Sequence, residues 1–183
     1  MILRTLFSIT IIAGLILTLA VHSQAQQRTT DRVWQSPNAA VNQTIGLTEV
    51  SLTYGRPSVR DREVFGSLVP FDQVWRTGAN ESTAITFSDD VRLEGHHVEA
   101  GTYSLFTIPG EESWTIIIND RLVWGNRHDE SADVVRFEVE PENSHFMEQM
   151  MIYFENITPD HADLVIHWDT TKVPIRIEPV AEE

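Results

Sequence analysis

The chain has 183 residues, 27 of them acidic and 13 Lys or Arg, for a formal net charge of −14, and it contains no cysteine. Nucleic acids and anionic lipid surfaces reward Lys and Arg clusters that a chain this acidic lacks, so neither is an expected partner. The absence of cysteine excludes disulfide staples, thiol chemistry and a lipid-modified N-terminal Cys.

The N-terminus reads as a secretory signal. Arg4 supplies a positive start, Leu6 to Val21 is nearly all apolar, and Ser23-Gln24-Ala25 offers small residues for cleavage after Ala25. The apolar run is interrupted by Ser8, Thr10, Gly14 and Thr18 and falls short of the roughly 20 residues of a bilayer span. The expectation is a periplasmic or secreted protein: a signal peptide over 1–25, with no membrane span left after its removal. Residues 26–37, rich in Gln, Arg, Thr and Ser, read as a flexible leader, and 38–183 as one domain of ordinary length.

Period-two patterning dominates from there. Val41, Gln43 and Ile45 alternate before Gly46, and Val50, Leu52 and Tyr54 share one face of a second strand. Further strands are expected at 83–87, 91–94, 102–108, 114–119, 134–140, 150–154, 164–168 and 173–177. They are separated by turn chemistry at Ser88-Asp89-Asp90, Glu94-Gly95-His96, Pro109-Gly110-Glu111 and Thr158-Pro159-Asp160. Asn143 to Gln149 is assigned a short helical turn. The fold class is therefore all-β, a single antiparallel β-sandwich of about nine or ten strands.

One connection breaks the pattern. Residues 55–82 far exceed the usual four to six or so residues of a loop. Their own apolar residues, including Val64, Phe65, Val69 and Trp75, predict a covering loop folded over one open end of the sandwich. It opens at Tyr54-Gly55-Arg56-Pro57 and closes at Val74-Trp75-Arg76-Thr77-Gly78-Ala79-Asn80-Glu81.

These two stretches, with Val64-Phe65-Gly66-Ser67-Leu68-Val69-Pro70 and Ala100-Gly101-Thr102-Tyr103-Ser104-Leu105-Phe106, resemble an uncharacterised family of exported bacterial proteins, chiefly of the Bacteroidetes type. The family is designated domain of unknown function 2911. The similarity runs from about Ser36 to Ile177, through Trp124-Gly125, Asp133-Val134-Val135-Arg136 and Trp168-Asp169. It implies export and a single β-rich domain but brings no activity, substrate or catalytic residue. The chain departs from the family at Val59-Arg60-Asp61-Arg62, where Asp61 stands in the place of a glycine and puts the turn geometry in question.

Two roles fit the loop. As a ligand site, Arg76 offers a planar fork for a carboxylate or phosphate, Asn80 and Glu81 add polar groups, Arg56 and Arg62 add cations, and Tyr54 and Trp75 form apolar walls. The ligand would be a small polar molecule, a glycan or a peptide. As a clasp, Arg56, Arg62 and Arg76 would instead pair with Glu81, Asp72 and loop carbonyls to hold the loop closed. The leading expectation is a non-catalytic binding or interaction module of the bacterial envelope. The alternatives are a hydrolase with Glu81 as general base and Arg76 stabilising negative charge, and a structural envelope protein without a ligand.

Catalytic and metal signatures are weak. No Gly-x-Ser-x-Gly elbow, phosphate-cradling Gly-rich loop or dinucleotide fingerprint occurs. His96-His97 lies in an expected turn with side chains on opposite faces, and His128, His145, His161 and His167 show no ligand spacing. Asp129, Glu130 and Asp133, and the Asp89-Asp90 pair, could offer oxygens to calcium but match no known loop motif. No metal or cofactor is expected, and the sequence leaves oligomeric state open.

Overall fold

The computed structural model describes residues 28–180. The expected signal peptide over 1–25 lies outside the described residues. Ten strands follow in chain order: β1 (Asn38–Ile45), β2 (Thr48–Gly55), β3 (Thr83–Phe87), β4 (Val91–Leu93), β5 (His96–Val98), β6 (Gly101–Ile108), β7 (Trp114–Asn119), β8 (Asp133–Val139), β9 (Glu142–Glu155) and β10 (Ala162–Pro179). A single 3-10 turn, Glu130–Ala132, is the one helical element among the described residues. No described helix is long and apolar enough to cross a membrane.

The strands form two antiparallel sheets, β1-β2-β3-β6-β7-β8 and β5-β4-β10-β9. Period-two side chains meet between them: Val50, Leu52 and Tyr54 from β2, Trp114, Ile116 and Ile118 from β7, and Leu164, Ile166 and Trp168 from β10 are all buried in one core. The all-β sandwich expected from the sequence is the observed fold.

Three elements differ from expectation. The segments 164–168 and 173–177 are one strand, interrupted by an irregularity in its pairing: the register against β9 shifts on both sides of Asp169, whose φ is +56°, with β9 contributing the surplus residues. Across this irregular stretch the inward set passes from even positions (Leu164, Ile166, Trp168) to odd ones (Val173, Ile175, Ile177), so the alternation reads as two strands. Asn143 to Gln149 is not helical but the first half of β9, paired with β10 through Asn143↔Thr171 and Met147↔Asp169. Its side chains are mostly exposed, Phe146 among them, which removes the alternation that marks a strand. His96 and His97 lie on the short strand β5 rather than in a turn; His96 stacks on Phe137 and His97 meets Asp90.

The long connection crosses the end of the sandwich and is fastened to both sheets. At one side Ser58 bridges Gln149 on β9, with Val59 N–H donating to the Glu148 carbonyl at 2.8 Å. At the other, Trp75 exchanges two backbone hydrogen bonds with Thr107 at the end of β6, beyond the last β3 partner of that strand at Leu105. Between these points Val59, Val64, Val69 and Trp75 enter the core. Trp75 stacks on Trp168 with ring centroids 5.9 Å apart, and Phe65 lies edge-on to Trp75, Trp114 and Trp168. Edge-to-face and offset contacts of this kind each add about 0.5–1.5 kcal/mol beyond burial. The loop thus plugs the sandwich with aromatic rings.

Candidate functional site: an arginine-lined cavity under the long loop

Two tight turns aim the loop's arginines. Arg62 N–H donates to the Val59 carbonyl, and both central residues, Arg60 and Asp61, have φ near +50°. An i to i+3 bond with two left-handed central residues is the arrangement of a type I′ turn. The left-handed geometry in doubt after the loss of glycine is therefore kept, with Asp61 at φ +53°. The second turn passes through Thr77 (φ +54°), Gly78 and Asn80 (φ +66°), and it brings Ala79 N–H onto the Gly55 carbonyl.

A cavity of about 250 Å³ lies between these turns and the segment Gln35-Ser36. Its polar side is Arg60, Arg62, Arg76 and Asn126; its apolar side includes Val69, Trp75 and Trp168. No acidic residue lines it among the described residues.

The residues expected to form a site divide into two groups. Arg62, Trp75 and Arg76 line the cavity, whereas Tyr54, Arg56, Asn80 and Glu81 do not. Tyr54 is buried; its hydroxyl donates to the Ile152 carbonyl at 3.3 Å and accepts from Ile152 N–H at 2.9 Å. Arg56 Nε donates to the Met150 carbonyl at 2.8 Å. Both thereby satisfy backbone groups of β9, an edge strand. Asn80 Nδ2 donates to the Ser36 carbonyl, and its own carbonyl accepts from Gly125 N–H, tying three chain segments together.

Glu81 is engaged with a residue that the sequence pattern does not mark. Arg28, buried, places Nη1 3.2 Å from Glu81 Oε2 and donates as well to the carbonyls of Ala79, Glu81 and Ser82. Thr29 N–H donates to Glu81 Oε1 at 3.1 Å. Burial alone would raise the Glu81 carboxyl, but the Thr29 hydrogen bond and the Arg28 charge outweigh it and hold the group below the usual carboxylate range. Burial pushes Arg28 down to about 10, against the pull of Glu81.

None of the long loop's own arginines pairs with Glu81, Asp72 or another described acid. Arg62 donates from Nε to the Val59 carbonyl and from Nη2 to the Ser58 carbonyl, and Arg60 donates to Gln35. Arg76 donates from Nη1 to Asn126 Oδ1 at 3.0 Å, and its Nε is buried without an acceptor among the described residues. Burial lowers its pKa. Of the clasp contacts expected, Arg62 makes bonds to loop carbonyls, whereas Arg56 reaches a β9 carbonyl, Arg76 a side-chain amide, and none of the three a described acid.

A second polar cluster joins His128 Nε2 to Asp133 Oδ1 at 2.6 Å, with Asn119 and Arg136 on the same carboxylate. It has the base and orienter of a catalytic triad, but no Ser or Thr hydroxyl hydrogen-bonds to His128 among the described residues. His167, fully buried, contacts the His145 ring at 4.7 Å, and burial keeps it below the usual histidine range. The described residues hold no group of three or more His, Asp or Glu arranged around a metal position.

A family model described as "Protein of unknown function (DUF2911)" matches residues 36–177. The chain belongs to this family. The match spans every strand from β1 to β9 and all but the last two residues of β10, so the long loop lies inside the DUF2911 domain with the cavity residues it contributes. Arg28, which neutralises Glu81, and Gln35, which lines the cavity, precede the matched residues. No curated protein and no solved structure matches the chain.

Sequence reasoning passed over four residues that the cavity uses. Arg60 sits in the run marked as a departure from the family, and Trp168 in the Trp168-Asp169 pair; both carried a signal. Gln35 and Asn126 carried none, being polar residues in irregular segments.

Proposed function

We propose that this protein is an exported, non-catalytic binding module of the bacterial envelope, holding a small polar ligand in the cavity beneath its long loop. The observation that carries the reading is Arg76, a partly buried cation in a cavity wall whose only side-chain partner among the described residues is a neutral amide. Buried charges are ordinarily paired within the protein, and one left without a carboxylate beside an aromatic wall suits a group supplied from outside. Export is supported by the apolar run Leu6 to Val21 and the small residues before Ala25.

The hydrolase alternative is disfavoured. A carboxylate with both oxygens engaged, held ionised and outside the cavity is a poor general base, which describes Glu81. The structural reading draws support from Arg56 and Arg62, whose bonds to carbonyls brace the loop.

A melting screen of the purified protein against sugars, peptides and small acids tests the proposal, since a ligand that binds the folded state raises the transition temperature. Arg76→Ala should abolish the shift while the protein remains folded. A loss of more than about 2 kcal/mol of stability in Arg76→Ala, with no ligand in the screen producing a shift in the unaltered protein, would favour the structural reading instead. Fractionation of the source cells and N-terminal sequencing of the product test export; a product retaining residues 1–25 in the cytoplasm would refute it.

A further inference from the structure

We infer that the ligand of this cavity is a carboxylate, either a free acid of amino-acid size or the carboxylate end of a longer chain. The inference rests on the cavity being the binding site and adds the charge and shape of what it holds.

Charge comes first. Arg60, Arg62 and Arg76 line the cavity with no acid among them, in a chain of net charge −14. None of the three is in an ion pair with a described residue. Their hydrogen bonds go to carbonyls and amides, which fix the guanidinium groups in place without neutralising them. The adjacent Arg28 cation adds a like charge, and that one is matched by Glu81. A concave positive spot on a negative protein concentrates small anions.

Shape then selects among anions. Arg76 spends Nη1 on Asn126, and Nη2 and Nε have no acceptor among the described residues. Two neighbouring N–H donors on a planar guanidinium match the two oxygens of a carboxylate. Nε is buried and unpartnered on a residue that lines the cavity, so an entering carboxylate is the acceptor this side chain lacks. Phosphate sites are typically cradled by backbone N–H groups. Here the amides of Trp75, Arg76 and Ala79 are already donated to Thr107, Asn126 and Gly55. A sugar would need an open aromatic face, but Trp75 and Trp168 are stacked on each other and flanked by Phe65. The volume of 250 Å³ is that of about eight waters at ~30 Å³ each, enough for a small acid or a chain terminus and too little for a folded polymer.

The test is calorimetric titration at low salt, with tryptophan fluorescence as a second readout. The probes are N-acetylvaline, its neutral amide, the tripeptide Ala-Ala-Val with a free or amidated C-terminus, and inorganic phosphate. The free acids should bind, the amides at least about tenfold more weakly, and Arg76→Gln should weaken the acids by a similar factor. Binding of N-acetylvaline alone identifies a free acid as the ligand; binding of the free tripeptide as well identifies a chain end. Arg62→Gln, on an exposed residue, provides a second variant in which acid binding weakens while the fold is retained. Equal binding of acid and amide, lost in Arg76→Gln, would leave the site standing and overturn the carboxylate. Phosphate binding without acid binding would overturn it too, as would the absence of acid binding at millimolar concentration.

Discussion

The Arg28 guanidinium lies 3.2 Å from the Glu81 carboxylate, and the two side chains are only 4% and 7% exposed. Arg28 also donates to the carbonyls of Ala79, Glu81 and Ser82, so one residue ahead of the first strand fixes the end of the long loop. Breaking a buried pair leaves an uncompensated charge, at about 3–5 kcal/mol. Glu81→Ala and Arg28→Ala should each destabilise the protein on that scale in urea titrations. Glu81→Leu combined with Arg28→Met should recover most of the loss, and failure of the double variant to do so would show that the carbonyl bonds of Arg28 matter more than its charge.

Asp61 holds φ at +53° in the turn that presents Arg60 and Arg62. A side chain in the left-handed region costs roughly 1–2 kcal/mol, less for Asp than for most residues, and glycine avoids it at some entropic expense in the unfolded chain. Asp61→Gly should therefore raise stability by about 0.5–1 kcal/mol, readable as a rise in melting temperature. A fall would mean that the Asp61 side chain contributes something the geometry does not reveal.

Gly55 is required by contact. A Cβ there would sit 2.3 Å from the Ala79 carbonyl oxygen, where the loop end returns against β2. Gly55→Ala should cost more than about 3 kcal/mol, since backbone must move on both sides. Gly95, at φ +81° with open space around it, provides the contrast: Gly95→Ala should lose only about 1 kcal/mol, from strain alone. Equal effects at the two positions would contradict the packing at Gly55.

Acid should unfold the protein through a small set of carboxylates. For Glu81, Asp133 and Asp163, burial works to raise the pKa, but hydrogen bonds and neighbouring cations win and depress all three. The partners are Thr29 and Arg28 for Glu81, Asn119, His128 and Arg136 for Asp133, and Arg176 and Asn156 for Asp163. A depressed folded-state value means the stabilisation is fully present above the unfolded carboxylate range near pH 4 and is lost as pH falls through the folded values. Urea midpoints should thus be flat from about pH 7 to 5 and drop steeply below about 4. Glu81→Gln should flatten part of that slope.

What the sequence made legible follows from how strongly each feature is repeated. Alternation over Val50, Leu52 and Tyr54, or over Trp114, Ile116 and Ile118, marks a strand with one buried face, and the sandwich was readable from such runs. The first half of β9 was not, because a strand exposed along much of its length has no reason to alternate. The pairing irregularity at Asp169 hid the unity of β10 for the opposite reason: both halves alternate, but on different parity. In the cavity, Arg62, Trp75 and Arg76 stood out through their concentration in one loop. The pairing of Glu81 with Arg28 could not be read from pattern, since the two residues lie far apart in the chain and nothing local to either names its partner.

The position of β10 has a consequence for the order of assembly. Its residues Asp163 to Lys172 pair with β9 and Ile177 to Pro179 with β4, so β9 joins the β4-β5 hairpin only through it. A chain ending before Ala162 possesses the β4-β5 hairpin and β9 yet has no strand to join them, and its six-stranded sheet presents an uncovered apolar face. Such a chain should stay unfolded, available to chaperones and proteases, until β10 is delivered. The closing of the sandwich is thus expected to wait for synthesis of this strand.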